Sequence, residues 1–261
     1  MKIMENETQY GVIDVKSDLP SRRLIVVPHK NKTLIAGYPA FGPNYFSNNT
    51  QEMQKKYAHP QTGEAVTFRP LTTAESISVV SYDFENLAKP QIFDPRWLQA
   101  GYVVRTSQGV FANPPKDKQG NVVSDEQKLT LLLNGVKPIK VGKGKIYLGE
   151  NDFGFADYDS FQRDVQDCDT FAEGGLARIL EHSDGVAQNL RKIASPKNYK
   201  RGVNVYAFDN VKEPIVKVAR LYSYWGFGGG RLYVYGDFWD GNYGGCAFGG
   251  LDSAEGSAPK N

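Results

Sequence analysis

The sequence predicts an α+β fold in which antiparallel sheets, ending in a C-terminal meander, pack with a central helical block. Three observations predict it. Helix-capping pairs stand ahead of apolar residues at helical spacing in the middle of the chain; β-rich runs flank them; and short turns, rather than crossover helices, join those runs, which favours antiparallel pairing. The chain has 261 residues, 40% of them hydrophobic and 23% charged, so it can build a core without staples and is neither disordered nor collagen-like.

Arg23 to Pro28 and Ala65 to Arg69 read as strands, and residues 36–62, rich in Pro, Gly and Asn, read as a long loop or insertion. Thr72 and Glu75 form a capping-box pair before Ile77, Val80, Phe84 and Leu87, which predicts an amphipathic helix. Tyr102 to Thr106 and Val110 to Ala112 make a hairpin across Ser107-Gln108-Gly109. Ser124 and Gln127 repeat the capping pattern before Leu129, Leu132 and Leu133, and Asn134-Gly135 stops that helix. Lys137 to Leu148 is a strand pair bent at Gly142 and Gly144.

Residues 158–195 read as the helical block. Asp159 opens a stretch with Phe161, Val165 and Cys168 at helical spacing, and Thr170 with Glu173 opens another. The meander follows: Val203 to Phe208, Pro214 to Tyr224, Arg231 to Trp239 and Tyr243 to Phe248, the last two joined by Asp240-Gly241. The Pro114 to Gly120 stretch has linker composition. It divides an N-terminal lobe, 1–115, from a C-terminal lobe, 116–252, within one domain, and 253–261 reads as a disordered tail.

The formal charge of +2 excludes a strong net field toward nucleic acid or anionic lipid. No apolar run approaches the roughly 20 residues of a membrane span, and two cysteines cannot form a disulfide framework. A cytoplasmic protein with no membrane partner is expected. Charge is nevertheless segregated: residues 150–184 hold ten Asp and Glu against two Arg, and residues 191–231 hold nine Lys and Arg against Asp209 and Glu213. Lys137, Lys140, Lys143 and Lys145 add a basic hairpin.

Motifs for phosphate loops, dinucleotides, zinc proteases and serine nucleophile elbows are absent, and His29, His59 and His182 have no ligand spacing, so neither a metal nor a cofactor is expected. Gly244 to Gly249 places Cys246 in a Gly-rich strand like the nucleophile segment of papain-like proteases, but all three histidines lie upstream and the match fails. Cys246 and Cys168 read as buried thiols. Asp152, Asp157 and Asp159 read as dipole partners of the helix expected after them, and Asp240 with Asn242 as turn residues.

Arg231 to Trp239 carries the strongest functional signal. Strand periodicity puts Leu232, Val234 and Phe238 on one face and Tyr233, Tyr235, Asp237 and Trp239 on the other. With Tyr222, Tyr224 and Trp225 these rings form a candidate ligand- or partner-binding face if they are accessible, and core if they are covered.

Arg22 to Pro28, the Phe93-Asp-Pro-Arg-Trp-Leu98 stretch followed by Gly101 to Thr106, and the aromatic end Gly229 to Asp240 resemble uncharacterised archaeal proteins of similar length. The resemblance implies a cytoplasmic location and transfers no catalytic residue. The expectation is therefore a non-catalytic binding or protein-interaction module, its partner an unknown protein or a second copy. Two alternatives stand beside it. One is a hydrolase joining His182 or His29 to Cys246 or the 152–159 carboxylates; the other is a single-stranded nucleic-acid binder built on residues 191–231.

Overall fold

The computed structural model describes residues 18–86, 92, 97–224, 230–238 and 244–251. In chain order its elements begin with β1 Arg23–His29, β2 Lys32–Tyr38, β3 Phe41–Asn44, α1 Phe46–Met53, β4 Tyr57–Ala58, β5 Ala65–Val66 and β6 Arg69–Pro70. There follow α2 Thr73–Asn86, β7 Trp97–Arg105, β8 Gly109–Ala112, α3 Glu126–Leu131, β9 Ile139–Val141, β10 Gly144–Leu148, β11 Gly154–Asp157 and β12 Asp164–Gln166. The chain continues through α4 Cys168–Glu173, α5 Gly175–Glu181, α6 Gln188–Ile193, β13 Val203–Tyr206, β14 Ile215–Tyr224, β15 Arg231–Phe238, β16 Gly245–Ala247 and β17 Gly249–Gly250. This is the α+β class that the sequence predicts.

Local chemistry explains the helix starts. At α2 the capping box is reciprocal: Glu75 N–H donates to Thr72 Oγ1 at 3.1 Å, and Thr72 N–H donates to Glu75 Oε2 at 3.1 Å. At α3 the cap is Asp125, not Ser124; its carboxylate accepts Lys128 N–H at 3.0 Å. The helical block begins later than expected. Tyr158–Ser160 is a single 3-10 turn and Asp164–Gln166 is a strand, so the first helix starts at Cys168, where Asp167 accepts from Asp169 and Thr170 N–H. Phe161 and Val165 are therefore not on a helix, because β12 finds a strand partner in β13. The expected long loop at 36–62 is also corrected: it contains β3, α1 and β4, and Phe41, Phe46, Met53 and Tyr57 are buried together.

One large sheet runs β12-β13-β15-β14-β7-β8-β11-β10-β9, with β16 pairing β7 and β3; it draws strands from both sides of residue 116. A second sheet runs β1-β2-β17-β6. The expected meander holds for the β14–β15 hairpin alone. β13 lies parallel to β15, and β16 pairs with β7 and β3 instead of returning to β15.

The large sheet buries one face under α2, α4, α5 and α6, where Ile77, Val80, Leu176, Ile179, Leu190 and Ile193 meet Val203, Val205, Leu221, Leu232 and Val234. The opposite face is covered in patches. Near β8 and β11, Leu129 and Leu133 around α3 pack on Phe111 and Phe155. In the middle, Phe46 of α1 meets Tyr102 edge-on at 4.9 Å. The β13-β15-β14 end carries tyrosines.

Candidate functional site

Three strands with a two-residue side-chain period build this end of the sheet. Asn204 and Tyr206 of β13 stand beside Tyr233 and Tyr235 of β15, and Tyr222 of β14 stands opposite Tyr233. Alternation then sends Val203, Val205, Leu232, Val234, Leu221 and Ser223 to the helix side, all buried, with Leu232 and Val234 at 0% exposure. Tyr222, Tyr233 and Tyr235 are half-buried, whereas Tyr206 and Tyr224 are each 48% exposed. The rings are ordered against one another. Tyr206 and Tyr235 centroids lie 4.9 Å apart, and Tyr224 meets Tyr233 edge-on at 6.1 Å.

The face extends onto β12, where exposed Val165 stands opposite Asn204. Asn204 Oδ1 is shielded from solvent and has no hydrogen-bond partner among the described residues. Below, Ser223 and Tyr199 share a hydrogen bond of 2.5 Å that pins the hidden side of β14 to the helical layer, and burial raises the Tyr199 phenol above its ordinary value. Of the sequence-predicted site residues, the structure brings Tyr222, Tyr224, Tyr233 and Tyr235 onto one face. Trp225 and Trp239 lie outside the described residues, as do Asp240, Asn242 and the 253–261 tail, and nothing is described of the Asp237 and Phe238 side chains. Sequence reading missed Tyr206 and Val165 because they reach the face only through the parallel β13–β15 pairing and the β12 edge.

A second cluster gathers the polar candidates. Lys30 pairs with Asp152 and donates to His182 Nδ1 at 3.1 Å; Thr72 Oγ1 donates to Asp152 Oδ2 at 2.6 Å. His182 Nε2–H donates to the Gly149 carbonyl at 2.9 Å. Burial, and then the Lys30 ammonium, hold His182 below the ordinary imidazole value. Burial acts to raise Asp152, but the Lys30 and Thr72 hydrogen bonds outweigh it and leave the carboxylate below its usual range. Both ring nitrogens of His182 are thus engaged, which leaves no lone pair to accept a proton from a substrate. His29 is elsewhere committed, its Nδ1 at 2.8 Å from Ser78 Oγ.

The remaining candidates are dispersed. Cys246 is buried between β7 and β3, and Cys168 is buried with its thiol 3.4 Å from the Arg191 carbonyl. Asp157 does not serve a helix dipole; it accepts Lys145 N–H at 2.9 Å. Among the described residues no three His, Cys, Asp or Glu side chains are placed to hold a metal ion. The basic 191–231 segment does not form one track: Arg191 pairs with Asp169 at 2.7 Å, Lys192 with Glu85 at 2.9 Å, and Lys217 and Arg220 are buried.

No protein-family model matches the chain, and no curated protein does. The solved structure of a Nanoarchaeota protein, described as accommodating massive sequence variation by the C-type lectin fold, aligns with 86% of this chain and 100% of its own at 14% identity and a TM-score of 0.44. At that identity and score the likeness assigns this chain neither a fold family nor a ligand. Among the described residues no helix is long and apolar enough to cross a membrane.

Proposed function

We propose that this protein is a non-catalytic binding module that engages a protein partner, or a second copy of itself, through the tyrosine face of β13, β15 and β14. One observation carries the reading: Leu232 and Val234 point into the helical layer while the rings of Tyr206, Tyr224, Tyr233 and Tyr235 stand on the accessible side. Tyrosine rings with two side-chain torsions supply large contact area at low entropic cost, and the phenol hydroxyls add hydrogen-bonding capacity. Binding of this kind needs no cofactor or metal. A cytoplasmic setting fits the two free, buried cysteines.

Light scattering across a concentration series tests the self-association arm. The expected result is a dimer that the Tyr206→Ser/Tyr224→Ser double variant converts to monomer while its circular dichroism spectrum stays that of the folded chain. A dimer that the variant leaves intact, or a monomer at every concentration, would confine the reading to a heterologous partner. If the same variant then loses no partner captured by the wild-type chain, the reading fails.

A further inference from the structure

Between the α1 and α3 coverings of the large sheet lies a cavity of about 700 Å³, a volume within the range of small-ligand sites. Its walls are mainly apolar: Phe46, Leu71, Tyr102, Leu132, Val136 and Phe153. Its floor is fixed. Asn113 Nδ2 donates to Thr73 Oγ1 at 2.8 Å and to the Asp152 carbonyl at 3.0 Å, and its Oδ1 accepts Thr73 N–H at 2.9 Å. The polar groups of Asn113 are therefore spent on the scaffold, as is the Thr72 hydroxyl on Asp152.

Two formally charged side chains remain in the lining, Lys116 and Glu150, and neither forms a salt bridge among the described residues. They come from different segments of the chain: Lys116 follows β8, with its ammonium 5.8 Å from the Tyr102 ring centroid, and Glu150 sits in the β10–β11 turn. At the rim Leu132 is 52% exposed, although a leucine gains by being covered.

We infer that this cavity binds a short apolar peptide with free termini. Its side chains would rest against Phe46, Tyr102, Phe153 and Leu132, its carboxylate would meet Lys116, and its ammonium would meet Glu150. A purely apolar ligand would leave both charges unused, and an apolar acid or amine would use one of them. A zwitterion with an apolar body uses both, and the volume exceeds what one amino acid needs.

Isothermal titration with phenylalanyl-leucine, its N-acetyl form and its C-terminal amide tests this on the full chain. The free dipeptide is expected to bind, and either cap to weaken it about tenfold, the scale of a lost charge-assisted hydrogen bond. Lys116→Met should bind the free dipeptide about tenfold more weakly and no longer discriminate against the amide; Glu150→Gln should do the same for the acetyl form. Both residues are exposed, and an unchanged melting temperature confirms that the variants fold. Absence of binding by all three peptides at about 5 mM, wild-type indifference to either cap, or retained discrimination in the variants would overturn the assignment.

Discussion

The Lys30 ammonium donates to Nδ1 of His182 while pairing with Asp152, so one cation holds the β1–β2 turn, the β10–β11 loop and the end of α5 together. Lys30, Asp152 and His182 all have left-handed backbones, with φ of 51°, 61° and 53°. Such conformations persist where the surroundings over-determine them, and this hydrogen-bond network does so.

This arrangement sets an acid limit on stability. Burial leads the lowering of both His182 and His29 from the ordinary value of 6.5, so the unfolded chain takes up protons first as pH falls. Their contribution is complete above about pH 6.5 and is lost as pH falls toward the folded-state values. The depressed carboxylates Glu75 and Asp152 act only at more acidic pH. Urea midpoints should therefore be flat between about pH 7 and 8 and decline from about pH 6.5 downward, before the depressed carboxylates titrate. His182→Asn, which tolerates the left-handed backbone, should flatten part of the decline, and His29→Gln/His182→Asn most of it. An unaltered profile in the double variant would refute the assignment.

Glu75 joins local and tertiary structure. It accepts two hydrogen bonds from Arg69, at 2.7 and 2.8 Å, and completes the cap of α2 from a buried position. Glu75→Ala removes both hydrogen bonds from Arg69 together with the bond from Thr72 N–H and should cost about 2 to 3 kcal/mol in urea unfolding, against about 1 to 2 kcal/mol for Thr72→Ala. Equal losses would mean that the Arg69 ion pair adds no more than the Thr72 hydroxyl supplies through its cap and its bond to Asp152.

Gly109 closes the β7–β8 hairpin where β11 passes alongside. A Cβ there would lie 2.2 Å from the Ala156 carbonyl oxygen, a backbone atom that cannot swing away. Gly109→Ala should cost about 2 to 3 kcal/mol by overpacking. Gly120→Ala meets no atom within 4 Å and bears only the strain of φ +86°, about 1 kcal/mol. Chemical denaturation of the two variants compares them directly.

The two faces of β13 and β15 should respond oppositely to substitution. Leu232→Ala opens a cavity in the helical layer and should cost about 3 kcal/mol, whereas Tyr206→Ser should stay within about 1 kcal/mol of the wild type. A large loss at Tyr206 would show its ring to be structural, and would weaken the proposed binding face with it.

Much of the architecture was legible in residue order. The capping pair Thr72 and Glu75 started α2 where expected, and the alternation Leu232, Tyr233, Val234, Tyr235 divided β15 into a hidden and an accessible side. These are local relations, spanning a few residues, and backbone geometry translates them directly. The first part of the predicted helical block was misread for the complementary reason. The four-residue spacing of Phe161 and Val165 suits a helix, but pairing between Asp164–Gln166 and Val203–Tyr206 prevailed, and that partner lies far along the chain.

By itself the sequence determined the α+β class, the inward set of aliphatic side chains on β15 and the residues able to cap α2, because period and capping chemistry act within one or two turns of chain. Only the tertiary structure decided that Tyr206 stands beside Tyr235, that Lys30 and Thr72 reach Asp152, and that α1 and α3 leave a cavity between them. Each of these depends on which strand lies next to which, and strand neighbours are chosen by burial summed over the whole sheet rather than by any local run of residues.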